Sequence, residues 1–194
     1  MKNIKLSDYV ASYLLRNKLK YVFSVTGAGS MHFNDAIGTK KGLKVIYTHH
    51  EQSASMAAEG VARITGRPGV VNVSTGPGGT NALTGLAGAW VDSIPMLVIS
   101  GQIMRKDRGP KHGLRQMGVQ EIDTISVAKP LTKYAVTVED PKLIKYHLDK
   151  ALYHSMTGKP GPVWIELPLD VQSSFINPKK LKSFKVKKVK KKLP

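Results

Sequence analysis

The chain has 194 residues, of which 41% are hydrophobic, which is enough for about one domain with a buried core and argues against a disordered or fibrous protein. It contains no cysteine, so disulfides and thiolate metal sites are excluded. Charged residues interrupt the apolar ones throughout the first twenty positions, a pattern that fits neither a signal peptide nor a membrane span. We therefore expect a cytoplasmic protein with no membrane partner.

The net charge of +17 is concentrated near the carboxyl terminus. Nine lysines and no acidic residue lie between Lys179 and Pro194, so removing these nine charges from +17 leaves +8 for the rest of the chain. Such a run is typical of a solvated, self-repelling segment. The remainder shows no zinc-ligand spacing, aromatic RNA-binding signature or helix-turn-helix pattern, and we expect no nucleic-acid partner. Salt-dependent association through the lysines is the alternative that the charge leaves open.

The apolar pattern alternates between short β-branched runs and longer amphipathic or small-residue stretches. From the start of the chain it predicts helix 7–19 with Ser7 as its cap, strand 21–25, a turn at 26–30, a helix through Phe33 and Ile37, and strand 43–47. It continues with helix 51–64 ended by Gly66, strand 69–74, a turn at 76–79, helix 82–90 and strand 96–100. After a charged loop at 101–119 the pattern resumes at 120–128, and then predicts strand 134–138, helix 141–155 and strand 163–167.

Strands that alternate with helices of this length predict βαβ units. We therefore expect an α/β protein with three layers, α/β/α, around a mostly parallel sheet. Beyond Ser173 the pattern dissolves into Pro178 and lysines, so we interpret residues 1–172 as one domain and residues 173–194 as a lysine-rich linker or tail.

Glu51 opens the predicted helix 51–64 and is the first candidate for chemistry. In its simplest role, an acidic residue in the first turn complements the helix dipole and contributes under about 1 kcal/mol. The helix continues with small residues that would let another backbone or a flat ligand approach closely, namely Ser53, Ala54, Ser55, Ala57, Ala58 and Gly60. A carboxylate at that place could exchange a proton with a ring nitrogen, and the pattern leaves both roles open.

His49 and His50 precede this carboxylate. Adjacent histidines point to different sides of any regular element, and neither has a partner at helical His-x-x-x-His spacing. We expect ordinary packing or hydrogen bonding for each of them, and no metal site in this chain.

A glycine-rich turn from Gly76 to Asn81 follows the predicted strand 69–74. Its backbone amides could hold a phosphate at a helix start. It lacks the lysine and spacing of a P-loop and the full dinucleotide fingerprint, so a tight connection to a close-packed helix explains it equally well. No Gly-x-Ser-x-Gly elbow, kinase or Walker signature occurs elsewhere. Glu51 and this turn could border one crevice at the carboxyl ends of the strands, a usual ligand position in an open α/β sheet.

Several short motifs occur together in a characteristic order between about Leu6 and Val171. They are Val22-Phe23 before Gly27, His50-Glu51-Gln52, the stretch 57–63, the stretch 74–81, Trp90 with Asp92-Ser93-Ile94-Pro95, Ser100-Gly101-Gln102, the stretches 120–123 and 129–133, and Gly158 to Val163. With them the chain resembles the N-terminal pyrimidine-binding (PYR) domain of thiamine diphosphate enzymes, in particular those of the acetolactate synthase large-subunit branch. The resemblance implies the thiamine diphosphate-binding fold.

The resemblance also implies roles for individual residues. Glu51 matches the family glutamate that hydrogen-bonds N1′ of the aminopyrimidine and promotes the imino tautomer, whose 4′-nitrogen removes the C2 proton of the thiazolium. Gln120 matches a glutamine near the substrate, and we place it with Glu51 as a catalytic residue. The implied cofactor pocket comprises Thr26, Gly27, Glu51, Ser74, Gly76, Pro77 and Asn81. On this interpretation the turn lines the pyrimidine and does not hold phosphate.

The sequence departs from the family pattern at identifiable positions. Val119 stands where the family motif has phenylalanine, the usual Pro-Gly-Gly turn is replaced at 26–29, and the loop from Met104 to Val119 is longer. Pyruvate is therefore only the leading substrate expectation. No Gly-Asp-Gly motif is present, although family members bind Mg²⁺ and the diphosphate through one on a separate domain. The central domain, which binds FAD in acetolactate synthases, is also absent.

The resemblance implies half of an active site. We expect the pyrimidine-binding half of a 2-keto acid decarboxylase and carboligase, acting in a homo-oligomer or hetero-oligomer in which another domain supplies Mg²⁺ and the diphosphate site. FAD is possible in the complete enzyme, although this chain does not support it. The alternative is a catalytically inactive remnant or dimerisation module of such an enzyme.

Overall fold

The computed structural model describes residues 3–186, and its centre is a six-stranded parallel sheet. The strands in chain order are β1 Ile4–Lys5, β2 Tyr21–Ser24, β3 Lys44–Tyr47, β4 Gly69–Val73, β5 Met96–Gln102, β6 Tyr134–Thr137, β7 Pro162–Pro168 and β8 Phe175–Ile176. The sheet has the order β3-β2-β4-β5-β7-β6, and every neighbouring pair in it is parallel. The two short strands β1 and β8 form a separate antiparallel pair.

Helices cover both faces of the sheet. They are α1 Leu6–Arg16, α2 Met31–Thr39, α3 Glu51–Thr65, α4 Pro77–Asn81, α5 Leu83–Val91, α6 Thr124–Ala128, α7 Ile144–Met156 and α8 Leu169–Gln172. One core cluster joins α1, α2, α7 and α8 to one face, and a second joins α3, α5 and α6 to the other. The predicted α/β/α fold with a parallel sheet is confirmed.

The central strands are apolar on both sides because both faces are covered by helices. In β4 and β5, Val70 and Leu97 belong to the first core cluster, whereas Val71 and Val98 belong to the second. Continuous β-branched or apolar runs are typical of such doubly covered parallel strands. All six strands of the sheet were predicted from these runs, with ends that differ by one or two residues.

The helix predicted at 51–64 also ends as expected. Gly66 adopts the left-handed conformation at φ 64°, and its N–H donates to the Ala62 carbonyl over 2.9 Å. The Ser7 cap is wrong. Lys5 occupies the cap position, and the buried Ser7 hydroxyl makes no hydrogen bond within the described residues. The helix begins early because Ile4 and Lys5 are held in β1, so the chain turns into α1 directly after it.

The segment after Ser173 is partly ordered against the domain. Phe175 and Ile176 pair with β1, and Leu6 N–H donates to the Ser174 carbonyl over 2.8 Å. Further on, the ring of Phe184 lies 5.6 Å from that of Tyr146 in α7. The sequence pattern gave no indication of these contacts. The lysine run at 187–192 lies outside the described residues.

Candidate functional site

Three connections meet where the parallel strands β2, β3 and β4 end. The loop after β2 contains Thr26 and Gly27, α3 begins with Glu51 soon after β3, and β4 leads into the turn at 74–76 and then α4. Carboxyl ends of neighbouring parallel strands form the usual ligand-binding edge of an open α/β sheet. The topology therefore brings together most of the residues that the resemblance implied.

Glu51 is the first residue of α3 and is almost completely buried, with 9% of its surface exposed. His50 takes the extended cap conformation, and its Nδ1 accepts a hydrogen bond of 3.1 Å from the N–H of Gln52. This cap fixes where α3 begins and therefore where the side chain of Glu51 is placed.

Asn81 holds one oxygen of this carboxylate. Its Nδ2 donates to Glu51 Oε2 over 2.9 Å. Within residues 3–186, Oε1 of Glu51 has no hydrogen-bond partner. A Cβ atom added at Gly78 would lie 3.4 Å from this Oε1, so any longer side chain at position 78 would fill the space beside it. The carboxylate therefore has one oriented oxygen and one oxygen free for a ligand.

Gly76 and Gln120 approach each other through their backbones. Gly76 has φ 57° and ψ −115°, and a Cβ atom there would come within 1.8 Å of the Gln120 carbonyl oxygen. Only glycine satisfies both the conformation and the contact. Gln120 also has a positive φ, 59°, which is uncommon for a residue with a side chain. The structure thus brings Gln120 to the turn, and its side chain is exposed.

The loop after β2 packs directly on the turn after β4. Gly29 N–H donates to Ser74 Oγ over 3.2 Å, and a Cβ atom at Gly27 would meet the Ser74 side chain at 2.4 Å. Thr26 lies beside this contact with its side chain exposed, and Pro77 is exposed at the start of α4. All predicted site residues therefore lie at one edge of the sheet.

The turn from Gly76 to Asn81 fits a phosphate cradle poorly. Pro77 has no N–H, and the N–H groups of Gly78 and Thr80 are bonded within the turn, to the carbonyls of Thr75 and Gly76. α4 is also only five residues long, so its dipole is small. The geometry favours a wall for an uncharged ring over an anion site.

Sequence reasoning missed a buried polar network next to this turn. Gln102, at the end of β5, bonds to Thr75 and to Glu166, a buried carboxyl group on β7. Burial raises the pKa of Glu166 to about 7, although hydrogen bonds from Thr137 and Gln102 and the charge of Arg108 act in the opposite direction. The sequence feature that could have indicated this network is the presence of Gln102 and Glu166 within otherwise apolar strand runs.

Glu121 anchors the long loop that carries Gln120. Its carboxylate accepts hydrogen bonds from the N–H groups of Gly109, Met117 and Gly118, at 2.9 to 3.2 Å. These bonds lower the pKa of Glu121 despite the opposing effect of its burial. The loop closes one side of an apolar cavity of about 270 Å³, whose lining includes Gln120, Val119, Ile103, Met104, Thr75 and Leu169.

Among the helices of residues 3–186, none combines the length and apolar character that a membrane span requires. The same part of the chain contains no group of three His, Cys, Asp or Glu side chains arranged to hold a metal ion.

Comparison with known proteins identifies the class to which this fold and site belong. Residues 4–127 match the family model described as thiamine pyrophosphate enzyme, N-terminal TPP binding domain, and the chain belongs to this family. Thiamine pyrophosphate is the compound called thiamine diphosphate above, so the predicted resemblance is confirmed.

Within that family the chain is similar to acetolactate synthase large subunits. It is 38% identical to the Haemophilus influenzae protein over 170 residues, 88% of this chain and 29% of the relative. It is 38% identical to the Lactococcus lactis protein over 179 residues, covering 89% and 30%. Identity to the isozyme 3 large subunit of Escherichia coli is 36% over 171 residues, covering 88% and 29%. The chain spans 29 to 30% of the length of these curated relatives.

Proposed function

We propose that this chain is the pyrimidine-binding half of a thiamine diphosphate-dependent 2-keto acid decarboxylase and carboligase of the acetolactate synthase type. One observation carries the proposal. The buried Glu51 carboxylate is oriented by Asn81 through Oε2, while Oε1 lies beside Gly78 and makes no hydrogen bond within residues 3–186. This arrangement suits a hydrogen bond to a ring nitrogen.

The surrounding residues fit an aminopyrimidine ring. Gly76 and Gly78 have no side chains to block a flat ligand, and Pro77 adds an apolar surface without an N–H donor. Thr26 and Gly27 complete the wall from the neighbouring loop, which is held by Ser74. We assign these residues, with Asn81, to cofactor binding.

When bound, thiamine diphosphate supplies the carbon nucleophile and the electron sink for decarboxylation and carboligation. Glu51 would hold or transfer a proton at N1′ of the aminopyrimidine, and a positioned general acid or base contributes about 10² to 10⁴ in rate. Asn81 keeps the carboxylate in place during that transfer. Gln120 lies at the other side of Gly76, and we assign it to contact with the 2-keto acid.

The remaining parts of the proposal concern the complete enzyme. We infer a pyrimidine domain at 1–172 followed by a lysine-rich linker or tail at 173–194, and an oligomer in which a different domain holds Mg²⁺ and the diphosphate. Pyruvate is the proposed substrate because the relatives are named acetolactate synthases. We further propose that the protein is cytoplasmic, and we infer no FAD site within this chain.

Glu51→Gln tests the proposal. The full chain is fused to the part of the Lactococcus lactis large subunit that it does not match, and pyruvate consumption is measured with thiamine diphosphate and Mg²⁺. We expect a loss of about 100-fold or more in kcat, because the amide cannot take up and release the proton. The unfolding temperature of the chain should stay unchanged.

The matched control is Glu59→Gln, which changes a carboxylate on the same helix that pairs with Arg63 over 2.6 Å. We expect it to retain activity. Near-normal turnover of Glu51→Gln would overturn the assignment. A fusion that is folded, binds no thiamine diphosphate and remains inactive in every variant would support the alternative of an inactive remnant or dimerisation module.

A further inference from the structure

The side-chain amide of Gln102 is completely buried and uses all of its hydrogen-bonding capacity. Oε1 accepts from Thr75 Oγ1 over 2.7 Å and from the N–H of Ile103 over 2.9 Å. Nε2 donates to the Ile122 carbonyl over 3.1 Å and to Glu166 Oε1 over 3.2 Å. An amide has two donor hydrogens and two acceptor sites, so no capacity is left for water.

Two of these partners belong to opposite sides of the contact between Gly76 and Gln120. Thr75 directly precedes Gly76, and Ile122 lies two residues after Gln120. The amide of Gln102 therefore bridges the two segments whose backbones meet in the wall of the candidate site. Its orientation decides whether both segments are held at once.

Glu166 contributes to that orientation. Its Oε1 accepts from Gln102, and its Oε2 accepts from Thr137 Oγ1 over 2.8 Å. If the amide were reversed, its oxygen would face Glu166 and the Ile122 carbonyl, and its NH2 group would face the N–H of Ile103. An unpaired buried polar group costs about 1 to 3 kcal/mol, so the carboxyl group and these two backbone groups together select the observed arrangement.

Packing alone does not explain a carboxyl group at this position. Glu166 is 1% exposed on β7, where its neighbours along the strand are apolar and its neighbours on the adjacent strands are Ser100 and Thr137. The charged groups that act on it are Arg108, from the long loop, and Asp123, at the start of α6. The pKa of Glu166 is raised because burial makes its charged form less favourable. A hydrophobic residue of similar volume at such a position is often neutral or stabilising.

We propose that Glu166 is a positioning residue for the wall formed by Gly76 and Gln120, and that it acts through the amide of Gln102. The inference rests on the proposed function only in taking this wall as part of the cofactor site. Within the described residues the hydrogen bonds of Glu166 are to Gln102 and Thr137, so its effect on the wall is indirect.

Amide hydrogen exchange of the full chain, measured by NMR, tests the bridge without cofactor or activity. The probes are the N–H groups of Gly78, Thr80, Glu121 and Thr124, which are bonded within the two bridged segments. Glu166→Met removes the acceptor, and we expect exchange at these probes to accelerate by about tenfold or more, because a buried amide hydrogen of Gln102 is then left without a partner. Probes in α1 should stay within about threefold of the original protein.

Two further variants separate positioning from a general loss of stability. Glu166→Gln keeps an oxygen for Gln102 and offers its amide to the Thr137 hydroxyl, so it should restore the original exchange rates. Thr137→Val leaves the bond between Glu166 and Gln102 intact and should change the probes little. Unchanged probes in a folded Glu166→Met variant, or equal acceleration in α1, would overturn the proposal.

A second measurement does not depend on whether Glu166→Met folds. In the original protein, the side-chain amide resonances of Gln102 should shift with a midpoint near pH 7, following the titration of Glu166. In Glu166→Gln this shift should disappear. Resonances that do not titrate, or that titrate equally in both proteins, would contradict the bridge. If Glu51→Gln proves fully active while these results hold, the bridge stands and only the cofactor assignment fails.

Discussion

The two helical layers pack on the sheet with side chains of different size. On one face, α1, α2 and α7 contribute large buried side chains such as Leu14, Phe33 and Leu148. On the other face, α3 and α5 contribute Ala54, Ala58 and Ala89. The large side chains bury apolar area, which is the main source of stability, whereas the small ones allow close approach of backbones.

The polar side chains at and beside the candidate site lie on the face with the small side chains. Side chains alternate along a strand, so Gln102 and Glu166 point to the small-residue face, in line with Val98 and Trp164. Glu51 also belongs to α3, on that face. The small side chains and the polar groups of the candidate site therefore share one face, while the other face combines large apolar side chains with buried polar contacts of its own.

Leu148→Ala should give the largest change in stability. Leu148 is completely buried in α7, and truncating such a residue loses transfer free energy and leaves a cavity, so we expect a loss of about 2 to 5 kcal/mol. Denaturant unfolding measures it. The control Leu143→Ala, at a half-exposed position, should lose less than about 1 kcal/mol. Equal losses would show that burial does not determine how much these side chains contribute to stability.

Glu166→Gln should change how the unfolding free energy depends on pH. Burial raises the pKa of Glu166 from 4.5 to about 7, so the native protein keeps a proton that the unfolded chain releases. Its contribution to stability is full below about pH 4.5 and is lost as the pH rises through 7. Between pH 4.5 and pH 8 we expect the stability of the original protein relative to the variant to fall by about 3 kcal/mol. A constant difference across this range would refute the expectation.

Gly69→Ala tests the close approach on the small-residue face. A Cβ atom at position 69 would lie 1.9 Å from the Ala58 carbonyl oxygen, so α3 must move away from β4. We expect a loss of about 1 to 3 kcal/mol in unfolding free energy, as for other overpacked sites. The amides of α3 should exchange faster in the variant. A stability equal to that of the original protein would show that α3 can move away from β4 without a loss of stability.

Gly60→Ala is the matched change on the outer side of the same helix and should have the smallest effect. Apart from the adjoining backbone of α3 itself, no atom of residues 3–186 lies within 4 Å of a Cβ added there, and alanine is favoured over glycine in a helix interior. We expect a gain of about 0.5 to 1 kcal/mol, measured by denaturant unfolding. A loss of stability would mean that α3 is constrained on both sides.

Local patterns were sufficient for the parallel sheet and for the end of α3 at Gly66, because periodicity and cap chemistry act over a few residues. They were insufficient to predict the start of α1, which was placed at Ser7, because the pairing of β1 with β8 determines where this helix begins. A strand of two residues has no readable period. The bridge from Thr75 through Gln102 to Glu166 spans 27 and 64 residues, so only the strand order brings its members together.

The strand order has a consequence for synthesis. β7 lies between β5 and β6, both of which precede it in the chain. In the described sheet β6 is paired with β7 alone, so the sheet cannot be completed until residue 168 has left the ribosome. Until then β5 presents an unpaired apolar edge, which is prone to association with other chains. During synthesis the protein therefore depends on β7, the last strand of the parallel sheet in chain order, to cover its most aggregation-prone edge.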